Sequence, residues 1–174
     1  MDSPKARGGT SEITEETQVE LLYQELLEAW NQKNARKMAN LMAEDGNLVG
    51  FDGSQIDGQQ QVEAVLGQIF ADHPTPSYVS IVREVRLLSR DVALLRAVAG
   101  MVPVGQSDIN PALNAVQSLI ATKGRGRWRI ALFHNTPAAF HGRPELSDHL
   151  TKELQQALHA SAAKYNTNSG NTSL

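Results

Sequence analysis

The chain has 174 residues, of which 41% are hydrophobic and 20% charged, and its formal net charge is −3. This length suits a single domain with a hydrophobic core, and the small, evenly distributed charge excludes a strongly basic surface for nucleic acid or anionic membranes. There is no cysteine, so disulfides, thiolate nucleophiles and thiolate-bound zinc are excluded.

Both ends of the chain are polar and rich in turn-forming residues. We expect residues 1–12 to form a disordered leader, residues 13–142 the main domain, residues 143–163 a C-terminal helix and residues 164–174 a disordered tail. The leader lacks the apolar stretch of a secretory signal, and no window reaches the roughly 18 apolar residues of a membrane helix. We therefore predict a cytoplasmic protein.

Apolar residues at helical spacing predict two helices at the start of the domain. The first covers TEETQVELLYQELLEAWNQK, where Val19, Leu22 and Leu26 share one face and acidic residues occupy the first turn. The second covers NARKMANLMAEDG, and we expect it to begin with Asn34 as its N-cap and to stop at Gly46.

A short hairpin and a third helix follow. The hairpin covers NLVGFDGSQIDG and turns at Asp52 and Gly53, a pair typical of tight turns. The third helix covers DGQQQVEAVLGQIFADHPTP, where Val62 and Leu66 lie on the apolar stripe and Pro74 ends the helix.

Four extended runs come next: SYVSIVREVRLLS, DVALLRAVAGMVPV, PALNAVQSLIATKG and GRWRIALFHNTPAAF. They are rich in β-branched residues, and short turns join the first two runs and the last two, so we expect antiparallel neighbours. A final helix over ELSDHLTKELQQALHA is expected to begin with Ser147 as its N-cap. Helices followed by antiparallel strands predict an α+β fold, in which a curved sheet wraps around three helices and leaves a hollow.

The segments LLEAWNQKNARKMANLMAEDGNLVGFDG, GQQQVEAVLGQIF and WRIALFHNTP, together with this order of elements, resemble the SnoaL-like superfamily. Its cystatin-like cone fold is shared with nuclear transport factor two, and the closest subgroup is the SgcJ/EcaC type. The resemblance implies a conical pocket between the helices and the concave sheet face, and commonly a homodimer made through the sheet. It implies no particular activity, because the fold carries many functions.

The last strand places a histidine where an apolar wall ends. Alternate side chains share a face of a strand, so Trp128, Ile130, Leu132 and His134 form one set. If this set faces the hollow, His134 can exchange protons there, because its ordinary pKa is roughly 6.5. A structural role for the histidine is the alternative. Asn135 belongs to the other alternating set and would then face away from the hollow. A bulge in the strand would exchange the faces of the two sets. Asn135 is therefore a further candidate for contact with a ligand.

Three more polar residues are candidates for the pocket. Arg96 interrupts an apolar strand and either pairs with Glu84 across the sheet, the favoured reading, or holds a carboxylate of a ligand. Gln117 can donate to a ligand carbonyl, and can donate to or accept from a ligand hydroxyl; the alternative is a position on an exposed face. Asp52 is favoured as a turn residue before glycine; the alternatives are a general base or a group that orients His134.

Four apolar side chains are expected to line the hollow: Trp30, Met42, Phe51 and Phe70. No histidine has the close pairing with an acid that helix-borne zinc sites use, so we predict no metal. No nicotinamide-binding or phosphate-cradling glycine motif is present, so we predict no cofactor.

These observations predict a SnoaL-like protein that binds a small-molecule ligand in an internal pocket. One hypothesis is a cofactor-free isomerase, cyclase or dehydratase for an apolar cyclic or polyketide-like substrate, in which His134 and Asp52 transfer protons. The other readings are a non-catalytic carrier or sensor, and a dimerisation or assembly module with a filled hollow. We expect a homodimer and no nucleic-acid or membrane partner.

Overall fold

The computed structural model of the protein describes residues 12–169. Four α-helices occur in this range: α1 (Glu15–Asn31), α2 (Ala35–Leu41), α3 (Gln59–Asp72) and α4 (Pro144–Ser169). A short 3-10 helix spans Pro111–Leu113. The predicted disordered leader lies almost wholly outside the described residues.

One six-stranded sheet accompanies these helices, and its strand order is β2-β1-β6-β5-β4-β3. The strands are β1 (Met42–Val49), β2 (Gln55–Asp57), β3 (Ser77–Ser89), β4 (Val92–Val102), β5 (Ala115–Gly124) and β6 (Arg127–Pro137). The four long strands are antiparallel neighbours, as predicted. The sheet is nevertheless mixed, because β1 pairs in parallel with β6.

Helices α1, α2 and α3 cover one face of the sheet, which we call the inner face. The main core contains Val19, Leu26 and Leu66 from these helices, packed against Leu95 and Leu119 of the sheet. The register shifts at four places in three of the strand pairs, and such bulges bend strands. The arrangement is the α+β fold predicted from the sequence, with helices inside a bent sheet.

The second helix is shorter than predicted. It begins at the Asn34 N-cap, whose Oδ1 accepts from the Lys37 amide at 2.9 Å, but it ends at Leu41. The predicted stop, Gly46, instead lies within β1, where a Cβ atom would come within 2.6 Å of the Ile130 carbonyl oxygen. Glycine is therefore required for close approach of β1 to β6, and strand pairing replaces the last predicted turns of the helix.

An extra residue in β6 changes which side chains face inward. The pairing of β5 with β6 shifts between Ile120 and Ala121, which leaves Ala131 without a partner. Trp128 and Ile130 are buried before this bulge, whereas Phe133 and Asn135 are buried after it. The alternative left open by the sequence, a bulge that exchanges the two sets, is therefore what occurs, and the set with His134 does not face the hollow along the whole strand.

Helix α4 packs on the opposite, outer face of the sheet. It begins at Pro144, so Ser147 lies inside the helix and is not its N-cap, and the helix continues to Ser169, past the predicted end at residue 163. Leu150 and Leu154 form a small second core with Ile109 and outer-face residues of the sheet. Gly100 leaves room for this contact, since a Cβ there would lie 2.9 Å from Leu154.

Candidate ligand-binding site

A cavity of about 350 Å³ lies between the three inner helices and the inner face of the sheet. Its volume falls at the lower end of the range of about 300–1,000 Å³ that small-molecule sites occupy. The wall is mainly apolar and comes from the three inner helices, from strands β1, β2, β4 and β6 and from adjoining segments, through Leu26, Leu27, Trp30, Met38, Leu48, Ile56, Val65, Leu66, Ile69, Pro76, Met101, Leu113 and Phe133. The remaining lining residues are Gly50, Phe51, Asp52, Ser54, Tyr78 and Asn135.

Trp30 presents its ring, and not its N–H group, to the cavity. The indole Nε1 donates to the Pro76 carbonyl at 2.9 Å, so its hydrogen-bonding capacity is already used. The ring packs edge-on against Phe70, with centroids 5.1 Å apart, and tilted against Tyr78 at 5.5 Å. This aromatic group is a preformed apolar wall that fixes the position of the Tyr78 side chain.

The turn between β1 and β2 supplies part of the cavity wall. Both carboxylate oxygens of Asp52 are engaged inside the turn, where they accept from the Ser54 amide at 2.9 Å and from the Ser54 hydroxyl at 2.8 Å. These two hydrogen bonds, the backbone one first, lower the pKa of Asp52. Asp52 is exposed and remains ionised at neutral pH.

The polar part of the cavity is the end of a buried chain of hydrogen bonds. The Tyr23 hydroxyl donates to Gln117 Oε1 at 2.6 Å, and Gln117 Nε2 donates to Asn135 Oδ1 at 3.2 Å. Asn135 Nδ2 then donates to the Tyr78 hydroxyl oxygen at 3.0 Å. Four side chains from α1, β5, β6 and β3 are thereby linked beneath the cavity, and the last two line it.

Both tyrosines of this hydrogen-bond chain are neutral at pH 7, and burial raises their pKa further above the ordinary value of 10.0. Loss of solvent raises the pKa of Tyr78 to about 12, despite an opposing hydrogen bond from Asn135. Burial likewise raises the pKa of Tyr23, against an opposing hydrogen bond from Ser80. Both hydroxyls are therefore hydrogen-bond donors at neutral pH.

The structure brings four of the predicted site residues together and separates the others. Trp30, Phe51, Asp52 and Asn135 line the cavity. Gln117 is fully buried one hydrogen bond behind Asn135, while Met42 packs in the core and Phe70 supports Trp30 from outside the wall.

Two predicted site residues lie on the outer face. His134 is exposed, pairs across the sheet with Ser118 and Val49, and does not line the cavity. The Ala131 bulge is the reason, because it reverses the faces of the residues after it. Arg96 is also exposed and donates to Glu84 at 2.8 Å, so it forms the structural ion pair that the sequence favoured and makes no contact with the cavity.

Tyr78 and Tyr23 are the site residues that the sequence analysis missed. A signal for them exists, because a tyrosine within an otherwise apolar helix or strand needs a partner for its hydroxyl once it is buried. Tyr23 lies on the apolar face of α1, and Tyr78 is the second residue of β3, two positions after Pro76. Asn31 further fixes the start of β3, since its amide bonds to both the N–H and the C=O of Tyr78.

A second, wider depression lies at the tip of the β5–β6 hairpin. It has a volume of about 990 Å³ and is lined by Arg125, Arg127 and Arg129 together with Glu44 and Asp57. The opposed charges and the exposed side chains of Arg125 and Arg127 make it a solvated surface groove, unlike the apolar cavity. Within residues 12–169, no three histidine, aspartate or glutamate side chains cluster in a way that could hold a metal ion.

Solved structures share this architecture. A domain of unknown function with a cystatin-like fold from Nostoc punctiforme aligns with a TM-score of 0.67 at 21% identity, over 86% of this chain and 94% of that chain. A ketosteroid isomerase-like protein from Erwinia carotovora atroseptica aligns with a TM-score of 0.58 at 19% identity, over 72% and 98%.

An NTF-2 like protein of unknown function from Shewanella oneidensis MR-1 aligns with a TM-score of 0.57 at 19% identity, over 68% of this chain and 96% of that chain. Helices inside a bent, open sheet thus define an α+β protein of the cystatin-like class. More narrowly, residues 19–139 match the SnoaL-like domain, and the chain belongs to that family. Helix α4 lies beyond the matched residues.

A comparison with curated proteins found no match. None of the described helices is both long and apolar enough to cross a membrane.

Proposed function

We propose that the protein binds a small, mainly apolar molecule in the inner cavity and does so as a carrier or sensor. The observation that carries the proposal is an open, preformed apolar cavity of about 350 Å³ lined by two polar groups, half-buried Tyr78 and buried Asn135, at the end of a hydrogen-bond chain. Such a combination of apolar wall and a few oriented polar groups is typical of small-molecule sites. An assembly module with a filled hollow is less consistent with this open space.

The titratable groups of the cavity favour binding over proton transfer. Among the described lining residues these groups are Asp52 and Tyr78. The pKa of Asp52 is lowered and that of Tyr78 is raised to about 12, so neither moves toward the neutral range in which general acids and bases work best. Both oxygens of Asp52 are also engaged by Ser54.

An isomerase-type enzyme is the second candidate. The likeness to a ketosteroid isomerase-like protein supports it, as does the presence in one cavity of a carboxylate and a neutral donor whose pKa values move apart. We rank it second because the carboxylate is exposed and already hydrogen-bonded.

Binding can be tested with N-phenyl-1-naphthylamine, an apolar dye whose fluorescence rises in apolar surroundings. Val65 lines the cavity from α3 and is 40% exposed, so Val65→Trp fills the cavity without burying a strained side chain in the core. We expect the dye to bind the wild-type protein at one saturable site and the variant with affinity lower by about tenfold or more, a change of at least ~1.4 kcal/mol.

Ala64→Trp is the matched control, because Ala64 is the exposed neighbour on the same helix and is not among the lining residues. It should bind the dye as the wild type does. Absence of saturable binding to the wild type, or equal losses in the two variants, would contradict the proposal.

We further propose, from the family resemblance, a homodimer formed through the outer sheet face and a cytoplasmic location. The assignment to the SgcJ/EcaC subgroup also stays a prediction. The outer face carries half-buried apolar residues, Leu94, Ile120 and Leu132, beside the more exposed Val116.

A further inference from the structure

The hydrogen-bond chain beneath the cavity has a direction. At each link the donor lies on the side of Tyr23 and the acceptor on the side of Tyr78, from the Tyr23 hydroxyl through the two amides. Each side-chain amide accepts with its oxygen and donates with its nitrogen, so the order of donor and acceptor is the same at the next hydrogen bond. The oxygen of Tyr78 is therefore an acceptor within the chain, and its own proton remains to be donated.

The far end of the chain favours this direction. Tyr23 is fully buried on α1, and its hydroxyl donates at 2.6 Å to Gln117 Oε1, an oxygen that can only accept. Gln117 is fully buried as well and Asn135 is 4% exposed, so water does not compete for these groups. Reversing the direction would require both buried amides to rotate together.

The cavity around the Tyr78 hydroxyl is uncharged except at the β1–β2 turn. None of the described lining residues is a lysine, arginine or histidine, and the one carboxylate is Asp52. An anionic ligand would therefore lose its hydration without a compensating cation and would also meet a like charge. A neutral ligand avoids both costs.

We propose that the cavity takes a neutral apolar molecule with a carbonyl-type oxygen that accepts from the Tyr78 hydroxyl, and that Tyr23, Gln117 and Asn135 hold this hydroxyl as a donor. Trp30 and Phe51 provide the apolar surface for the rest of the molecule. Tyr78 contacts the ligand, whereas Gln117 and Tyr23 are positioning residues that act through Asn135. This inference rests on the proposed ligand binding and names the chemical class of the ligand.

The matched ligand pair 1-tetralone and tetralin tests the proposal, because the two differ in one carbonyl group. Dissociation constants for both would be measured by displacement of N-phenyl-1-naphthylamine. For each variant we take the ratio of the dissociation constant of tetralin to that of 1-tetralone. The two ligands differ in hydration, but this difference is the same for every variant and cancels when the ratios are compared. We expect this ratio to fall about threefold to tenfold in Tyr78→Phe, the range for one neutral hydrogen bond.

The role of the hydrogen-bond chain is tested by substituting a member that does not line the cavity. Gln117 is not among the lining residues, yet Gln117→Leu should lower the same ratio while tetralin binds as before. The carbonyl stretch of bound 1-tetralone, measured by difference infrared spectroscopy, should lie at lower frequency in the wild type than in Tyr78→Phe, with Gln117→Leu between them. If Gln117→Leu does not fold, Tyr23→Phe removes a single hydroxyl from the same chain and should act in the same direction.

The outcomes separate the two proposals. A failure of the dye and both ligands to bind the wild type would overturn the proposed function itself. Binding of both ligands with a ratio that Tyr78→Phe leaves unchanged would overturn the carbonyl assignment alone. A ratio that responds to Tyr78→Phe but not to Gln117→Leu or Tyr23→Phe would overturn the role of the chain.

Discussion

Which face of the sheet a side chain occupies decides its role in this protein. His134 and Asn135 are neighbours in the chain, but His134 is exposed on the outer face and Asn135 is buried on the inner one. The histidine attracts attention in the sequence because imidazole is a common proton-transfer group in proteins. The amide does not titrate, yet it connects the cavity to the buried hydrogen-bond chain.

The buried polar side chains of the hydrogen-bond chain depend on one another for their hydrogen-bond partners. Gln117 satisfies both the Tyr23 hydroxyl and the Asn135 oxygen, so its removal leaves two buried groups unpaired. An unpaired buried group costs about 1–3 kcal/mol. These residues therefore stabilise the fold as well as the cavity, and variants of them need a measurement of unfolding beside any measurement of binding.

Tyr78 should make the protein less stable at alkaline pH. Below its ordinary pKa of 10.0 the tyrosine is neutral in both states, but above that pH it ionises in the unfolded chain while burial holds the folded pKa near 12. The free energy of unfolding should therefore fall as pH rises from 10 to 12. Urea unfolding of Tyr78→Phe should show a shallower fall than the wild type; equal slopes would contradict the burial of this hydroxyl.

Among the secondary-structure elements, α1 is held to the sheet at both of its ends. At its beginning Glu15 accepts from Lys123 at 2.6 Å and also from the Trp128 indole. At its end Asn31 bonds to the backbone of Tyr78. Helix α1 also carries Tyr23, the first member of the hydrogen-bond chain, and Trp30, part of the aromatic wall. These contacts therefore position both residues.

The contact of Glu15 should weaken in acid. The hydrogen bond from Lys123, followed by that from Trp128, lowers the pKa of Glu15 below its ordinary value of 4.5. Its contribution to stability is therefore complete above pH 4.5 and is lost as pH falls through the folded pKa. We expect Glu15→Gln to lower the melting temperature at neutral pH, and the difference from the wild type to vanish in acid.

Glu16→Gln is the control for this measurement, since it removes a charge from the same first turn of α1. It should lower the melting temperature less than Glu15→Gln at neutral pH. Equal effects of the two substitutions would mean that the helix dipole, and not the contact with Lys123 and Trp128, accounts for the change.

The extent of each element was predictable where a local signal sets it. The Asn34 cap and the start of β3 after two prolines agree with the prediction. The end of α2 was not predictable, because residues 42–46 are compatible with a helix and leave it only to pair with β6. Similarly, Trp30 and Phe51 could be named as pocket residues from their apolar character, whereas Tyr78 depends on a partner from a distant strand.

At the scale of the whole protein, helix α4 covers one part of the outer sheet face and leaves another part uncovered, which we call the free portion. Helix α4 covers one part through Leu150 and Leu154, and Arg83 holds it with two hydrogen bonds to Glu153 of 2.8 and 2.9 Å. The free portion contains Val116, which is 43% exposed. This portion is where the proposed homodimer would form.

The dimer can be measured by light scattering coupled to gel filtration. The wild type should have a molar mass twice the 19.0 kDa of the chain, and Val116→Glu should shift it to one chain because the charge would be buried in the interface. Val104→Glu, at a residue that is 64% exposed in a loop, should leave the dimer intact. A wild type with the mass of one chain would contradict the proposal.

The sequence by itself determined the order of the elements, the α+β class and the likeness to the SnoaL-like family, because apolar spacing, caps and turns are local signals. Only the tertiary structure decided that β1 runs parallel to β6, that Ala131 bulges, and that Tyr78 meets Asn135 inside the cavity. The physical reason is that one residue of strand register moves every following side chain to the opposite face. Register is set by contacts between residues far apart in the chain, which local patterns do not record.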